Sequence, residues 1–122
     1  MISKELERIL QVMYEHARDE RYELVGLEHL LLVLLQDSQE VNSALRHCGV
    51  EIPVLAVQLQ ENIVENTPIV PSEQHLVEPQ PTLGVQRVIQ RAMIHVQQSS
   101  QDQVLPEDVL VALLDEEDSP AA

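Results

Sequence analysis

The sequence predicts an all-α fold, a tandem repeat of helical bundles related by a pseudo-twofold axis. Three observations lead to this class. Apolar residues recur at helical spacing, no useful stretch alternates in the manner of a strand, and two distant segments repeat one pattern. With 122 residues and 44% hydrophobic content, the chain is long enough for one domain with a sizeable core.

The internal repeat has an offset of 79 residues, the separation of Ser3 from Thr82, and it needs no gap. At this offset "LERILQVMYEHA" aligns with "VQRVIQRAMIHV", and "VGLEHLLLVLL" aligns with "VLPEDVLVALL". Ser3 and Thr82 are both favourable helix N-caps. Glu28 aligns with Glu107. A match that keeps one register over this length indicates a duplication.

Each repeat is predicted to open with an amphipathic helix and to continue with an apolar one. Residues 6–17 and 85–96 place apolar side chains three or four positions apart, which is the spacing of one helix face. Residues 30–35 and 109–114 are apolar nearly all round. We therefore expect these two short helices at the centre of their repeats, where they are buried on every side.

Two further helices are expected in residues 41–66, because Gly49 can end the first of them in a left-handed cap. They complete repeat one, residues 1–66. Residues 67–81 are rich in proline and have no helical period, which is typical of a linker. In repeat two, residues 82–122, the sequence stops where the counterparts of those two helices would begin. We therefore expect a truncated second repeat, as in a fragment of a longer protein.

The charge of the chain limits its partners. A net charge of −14 repels phosphates, so we expect no binding to nucleic acid or to an anionic membrane. The apolar run at residues 30–35 is far too short to span a bilayer. A single cysteine is compatible with a reducing cytosol, and a cytoplasmic location is expected. The acidic "DEEDS" at residues 115–119 is interpreted as a solvated end.

The sequence contains no recognised motif for catalysis or for cofactor binding. The only lysine, Lys4, is not preceded by a glycine-rich turn, so no phosphate-binding loop is expected. The five histidines lack the spacing of a zinc hydrolase. His16 and His95 occupy equivalent repeat positions, which favours a shared packing role. We expect no catalytic residue, no metal site and no cofactor in this domain.

Five charged residues are candidates for a binding surface. Glu28 and Glu107 each take the second position of an apolar helix, where the helix dipole stabilises a carboxylate. The alternative is that they face a groove and receive a cationic partner, with Glu23 adding to the same edge. Arg87 and Arg91 lie one turn apart and are two of only seven basic residues. Their simplest interpretation is an ordinary solvated face.

The "EHLLLVLL" of residues 28–35 and the "QPTLGVQRVIQRAMIHVQ" of residues 80–97 are similar to motifs of one family. The chain resembles the N-terminal domain of the Clp family of AAA+ protein unfoldases, most closely in its ClpA-like form. The resemblance covers essentially the whole chain, and the family's double repeat agrees with the duplication. One departure is Gly26, which stands where the family usually has a threonine N-cap.

The resemblance implies a recruiting domain. ClpA-like domains bind the small adaptor ClpS, which delivers protein substrates with destabilising N-terminal residues. They lie above a hexameric ATPase ring that feeds the ClpP peptidase, and ATP belongs to those ATPase modules. Glu23, Glu28, Thr82, Arg87 and Arg91 match the positions that the ClpA-like pattern assigns to the adaptor surface.

Two other functions fit parts of the sequence. In a ClpC-like domain, Glu28 and Glu107 would receive the guanidinium of phosphorylated arginine in substrates. The glutamate retained in both repeats favours this function, whereas Gly26 and the ClpA-like form of residues 80–97 oppose it. A stand-alone helical scaffold without a protease is the third alternative.

Overall fold

A computed structural model describes residues 2–69 and 78–116 of the chain. Helices dominate these two ranges, which confirms the all-α class, although two strands of two residues each were not expected. The elements in chain order are α1 (Lys4–Asp19), β1 (Leu24–Val25), α2 (Leu27–Asp37), α3 (Gln39–His47), α4 (Ile52–Asn66), β2 (Gln80–Pro81), α5 (Leu83–Gln98) and α6 (Pro106–Leu114).

Helix α2 forms the centre of the fold. Residues 30–35 are all buried, and the helix packs against α1, α3, α4 and α6. A helix that is apolar nearly all round requires cover on every side, and these four neighbours provide it. The central position expected for residues 30–35 is therefore confirmed.

Helix α6 is buried on one face only. It packs against α5, α2 and α3, but Val111 and Leu114 are 54% and 47% exposed. Their counterparts in α2, Leu32 and Leu35, are 3% and 1% exposed because α3 and α4 lie beside α2. The expectation that residues 109–114 would be covered on every side is wrong for the outer face of α6. Counterparts of α3 and α4 would follow residue 116, outside the described residues.

The local backbone follows the 79-residue offset closely. Helices α1 and α5 each contain 16 residues, and the side chains of their N-caps, Ser3 and Thr82, accept the backbone N–H three residues further on. Both helices are followed by a left-handed residue with φ of 60°, Arg21 in one repeat and Ser100 in the other. The boundaries at residues 66 and 82 and the pseudo-twofold axis stay predictions.

A short parallel pairing joins each repeat to the other. Val25 in β1 pairs with β2, directly before α5, and Val104 pairs with Ile2, directly before α1. The Thr82 N–H donates to the Val25 carbonyl and the Ser3 N–H donates to the Val104 carbonyl, each at 3.0 Å. Each N-cap is thus anchored on a backbone segment of the opposite repeat.

The ends of the predicted linker are anchored on residue Glu23. The Glu23 N–H donates to the Pro68 carbonyl at 2.9 Å, and the Gln80 N–H donates to the Glu23 carbonyl at 3.0 Å. Residues 70–77 lie outside the described residues. Both ends of the linker therefore meet at Glu23, the first of the candidate site residues, which directly precedes β1.

Candidate functional site

The five predicted partner-binding residues fall into two groups. Glu23, Glu28 and Thr82 surround β1 and β2 and are called the acidic site below. Arg87 and Arg91 extend from α5 towards the end of α6 and are called the arginine pair. The structure places Glu28 and Thr82 at one cavity and joins Arg87 and Arg91 through Glu116. For Glu23 it fixes the backbone, which is bonded to Gln80 and Pro68.

The acidic site is built on the N-terminus of α2. Gly26 is the N-cap of α2 and supplies no side-chain acceptor. A Cβ atom on Gly26 would lie 3.3 Å from Glu28 Oε2 and 3.9 Å from Thr82 Cγ2. The Glu28 carboxylate therefore occupies the space beside Gly26 that a threonine side chain would need. It lies at the N-terminus of α2, which is the positive end of the helix dipole.

A cavity of about 130 Å³ opens beside Glu28, between the N-terminus of α2 and the C-terminus of α4. Helix α4 contributes the side chains of Asn62 and Asn66 to its wall, and Thr82 contributes from the other repeat. Carboxylate, amide and hydroxyl groups can together accept hydrogen bonds from a cationic side chain. The cavity therefore extends the acidic site away from the surface strand.

His29 is buried and lines the cavity of the acidic site. Its Nε2 lies 3.0 Å from His16 Nδ1, while its Nδ1 has no partner within the described residues. Burial and then the neighbouring His16 lower the pKa of His29 to about 4, so the ring is neutral at pH 7. His16 thus packs against a buried ring, but His95 is exposed. The shared packing role expected for the two is wrong, because Asp108 replaces His29 in repeat two.

The arginine pair is held by one carboxylate. Arg87 Nη2 lies 2.7 Å from Glu116 Oε1, and Arg91 Nη1 lies 3.2 Å from Glu116 Oε2. The Glu116 side chain is 6% exposed, whereas the two arginines are 57% and 46% exposed. The hydrogen bond from Arg87 holds the pKa of Glu116 below its ordinary value. The interpretation of residues 115–119 as a solvated end is wrong at Glu116, and residues 117–119 lie outside the described residues. The two arginines are about half exposed, but both pair with Glu116.

Repeat one contains a weaker form of the same contact. At the 79-residue offset, Arg8 and Asp37 correspond to Arg87 and Glu116. Arg8 Nη1 lies 4.0 Å from Asp37 Oδ1, and Arg8 Nη2 donates to the Asp37 carbonyl at 3.1 Å. Sequence reasoning missed Glu116, although an acidic residue at both positions was a visible signal.

Glu107 lies apart from the acidic site. Its neighbours Glu5 and Glu40 are acidic. Burial raises the pKa of Glu5, and the nearby charges of Glu40 and Glu107 raise it further. Gly84 occupies the position in repeat two that corresponds to Glu5. The surface around the Thr82 N-cap therefore contains Gly84, whereas the equivalent surface around the Ser3 N-cap contains the additional carboxylate of Glu5. These two surfaces are called the N-cap surfaces below.

An apolar groove of about 410 Å³ runs between α1 and α5, and sequence reasoning did not predict it. Residues equivalent by the repeat face each other across it, Leu10 with Ile89 and Tyr14 with Met93. Its polar lining comes from Gln86 and Gln90, which are uncharged. The signal was present, because these positions flank the buried stripes of both opening helices.

The described residues show neither a metal cluster nor a membrane span. Among them, no three His, Cys, Asp or Glu side chains are arranged to hold a metal ion. Their helices are also too short or too polar to cross a bilayer.

Comparison with known proteins identifies the family. A family model of the Clp repeat (R) N-terminal domain matches residues 1–122. The chain belongs to the Clp repeat N-terminal domain family. This Clp N-domain is 37% identical over 120 residues to a ClpA homolog protein of Fuscovulum blasticum, and the match covers 98% of the chain. It spans only 15% of that relative's length. The resemblance read from residues 28–35 and 80–97 is thereby confirmed.

Solved structures share the fold of the Clp N-domain. The Hsp104 N-terminal domain of Candida albicans matches with a TM-score of 0.78 and 18% identity, over 94% of this chain and 74% of that one. A structure from a study of a malarial protein secretion system matches with a TM-score of 0.77 and 15% identity, over 95% and 78%. These likenesses establish the helical fold.

Proposed function

We propose that this Clp N-domain is the adaptor- and substrate-docking domain of a cytoplasmic ClpA-like unfoldase that feeds the ClpP protease. Its adaptor would be ClpS-like, and the hexameric assembly and ATP would belong to the ATPase modules. The similarity to a ClpA homolog supports this proposal. The observation that carries it is the acidic site, where Glu28 and Thr82 line one cavity and the backbone of Glu23 is bonded to Gln80 and Pro68 beside it.

The acidic site suits a preformed docking surface. Glu23 is exposed, and Glu28 and Thr82 are half-buried. Two hydrogen bonds between the repeats fix its backbone, from the Thr82 N–H to Val25 and from the Gln80 N–H to Glu23. A partner with a cationic side chain would meet a carboxylate whose position is already set. Such contacts mainly determine specificity and association rate.

The groove between α1 and α5 supports the substrate part of the proposal. Unfolded substrates expose apolar side chains, and a concave apolar surface of this kind is suited to receive them. The amides of Gln86 and Gln90 can bond to a peptide backbone without selecting for charge. Docking of adaptor and of substrate would then use different faces of α5.

The ClpC-like alternative has one observation in its favour. The cavity beside Glu28 lies at an uncapped helix N-terminus, which can bind a phosphate while Glu28 binds a guanidinium. This alternative requires a second, equivalent site at Glu107. Glu5 and Glu40 beside Glu107 oppose it, because they would repel the phosphate.

Calorimetric titration of the domain with a ClpS-like adaptor tests the proposal. The matched variants are Glu28→Gln and Glu107→Gln, which remove one charge at equivalent repeat positions. We expect Glu28→Gln to weaken binding at least tenfold, about 1.4 kcal/mol, and Glu107→Gln to have little effect. Equal adaptor affinities in both variants would contradict the acidic site. Binding of a phosphoarginine peptide that both variants abolish would favour the ClpC-like function, and no adaptor binding would favour a scaffold.

A further inference from the structure

Glu116 is the one carboxylate that is buried in residues 2–69 and 78–116. It follows α6 and gives one oxygen to each member of the arginine pair. A buried carboxylate is unfavourable unless charged hydrogen bonds satisfy it, and here two guanidinium groups do so. Glu116 therefore links the residue after α6 to α5 through both arginines.

The contact fixes the orientation of both arginines. Two guanidinium groups one turn apart on α5 repel each other, and the carboxylate between them removes that repulsion. Both side chains are still about half exposed. An arginine held in this way loses less rotamer freedom when a partner binds.

An ion pair that joins two helices does not by itself require two arginines on one carboxylate. Repeat one joins α1 to the end of α2 with Arg8 and Asp37 alone, and the position equivalent to Arg91 is Val12. Repeat two uses the longer glutamate and adds a second arginine. Arg91 is thus not needed for the helix contact itself, because the equivalent contact in repeat one forms without it.

We propose that Glu116 is a positioning residue of the docking surface, holding Arg87 and Arg91 side by side to receive an acidic side chain of the adaptor. This inference rests on the proposed function. The arginine pair supplies two of the seven basic residues in a chain of net charge −14, so an acidic group meets little cationic competition elsewhere. Glu116 itself does not touch the partner.

The test compares Glu116→Gln with its repeat counterpart Asp37→Asn. Each substitution removes the charge of one tie and preserves the shape of the side chain. We expect Glu116→Gln to weaken adaptor binding at least fivefold and Asp37→Asn to leave it unchanged in calorimetric titration. In the Arg91→Gln background, Glu116→Gln should have a smaller effect than in the unmodified domain, since coupled residues are not additive.

A second measurement follows the arginines directly. Nitrogen NMR of the guanidinium groups should show slowed rotation of Arg87 and Arg91 in the unmodified domain and fast rotation in Glu116→Gln. Affinity that is unchanged or higher in Glu116→Gln, with its circular dichroism spectrum preserved, would overturn the positioning role. Fast rotation in the unmodified domain would overturn it as well. If the unmodified domain does not bind the adaptor, the proposed function fails together with this inference.

Discussion

The two repeats have the same local pattern but different surroundings. Helix α2 is covered by α1, α3, α4 and α6, whereas α6 leaves Val111 and Leu114 open to solvent. The tie at the end of α2 is an exposed contact of 4.0 Å, whereas the tie after α6 buries Glu116 between two arginines. A duplicated sequence therefore reproduces caps and turns, while burial and charge depend on which neighbours each copy has.

The same comparison separates the two N-cap surfaces. Beside Thr82 lies Gly84, where an added Cβ would approach the Leu27 side chain to 3.1 Å. Beside Ser3 lies Glu5, whose carboxyl group is close to Glu40 and Glu107. The backbone pairings of the two surfaces are equivalent, but Glu28 lies next to a cavity whereas Glu107 lies near the carboxyl groups of Glu5 and Glu40. Under the proposed function, this difference would let an adaptor distinguish the two surfaces.

We expect the largest difference in the free energy of unfolding between Leu35→Ala and Leu114→Ala, two substitutions at equivalent positions of α2 and α6. Leu35 is 1% exposed and Leu114 is 47% exposed. We expect Leu35→Ala to reduce the free energy of unfolding by about 2–5 kcal/mol, through lost burial and a residual cavity. Leu114→Ala should cost less than about 1 kcal/mol, since most of its transfer free energy was never gained. Urea unfolding measures both, and equal costs would contradict the unequal cover of the two helices.

The next effect concerns His29, whose counterpart in repeat two is Asp108. The folded-state pKa of His29, about 4, is below the ordinary value of 6.5, so the unfolded chain binds the proton more readily. The stability that neutral His29 contributes is therefore present above pH 6.5 and is lost as the pH falls towards 4. The loss amounts to about 3 kcal/mol at 1.4 kcal/mol per pKa unit. Urea unfolding at pH 7, 5.5 and 4.5 should show a steeper decline in the unmodified domain than in His29→Gln. Parallel declines would show that His29 does not titrate in this way.

We expect a smaller difference in stability when the two equivalent ion pairs are disrupted. Arg87→Gln leaves buried Glu116 with one cationic partner, whereas Arg8→Gln affects an exposed pair that contributes no more than about 1 kcal/mol. We expect Arg87→Gln to lower the melting temperature more than Arg8→Gln does. The reverse order would mean that burial of Glu116 does not strengthen the tie. Charge reversal at Arg87 is unsuitable for docking experiments, because it would place two carboxylates in contact.

The features that could be predicted from the sequence are those set by short-range chemistry. The N-caps Ser3 and Thr82, the left-handed Gly49 (φ of 86°) and the buried run of α2 follow from residue type and spacing. Strands β1 and β2 could not be predicted, because two residues show no period and the paired residues, Leu24 with Gln80 and Val25 with Pro81, are far apart in the sequence. The burial of Glu116 was missed for the same reason, since it depends on a partner helix.

The candidate site was predicted less completely than the fold. Family resemblance supplied the identities of Glu23, Glu28, Thr82, Arg87 and Arg91, while their division into two groups required the structure. Helical spacing shows that Arg87 and Arg91 share a face, but it does not show what that face contacts. The cavity beside Glu28 was also beyond sequence reasoning, because α4 forms its other wall.

The central claim is that the adaptor docks on only one of the two equivalent surfaces. Hydrogen exchange of the backbone amides, with and without a ClpS-like adaptor, tests it most directly. We expect slower exchange in residues 22–28 and 80–91, around β1, β2 and the start of α5, and no change in residues 2–7 and 101–108. Protection of residues 2–7 and 101–108, or equal protection of both surfaces, would contradict it.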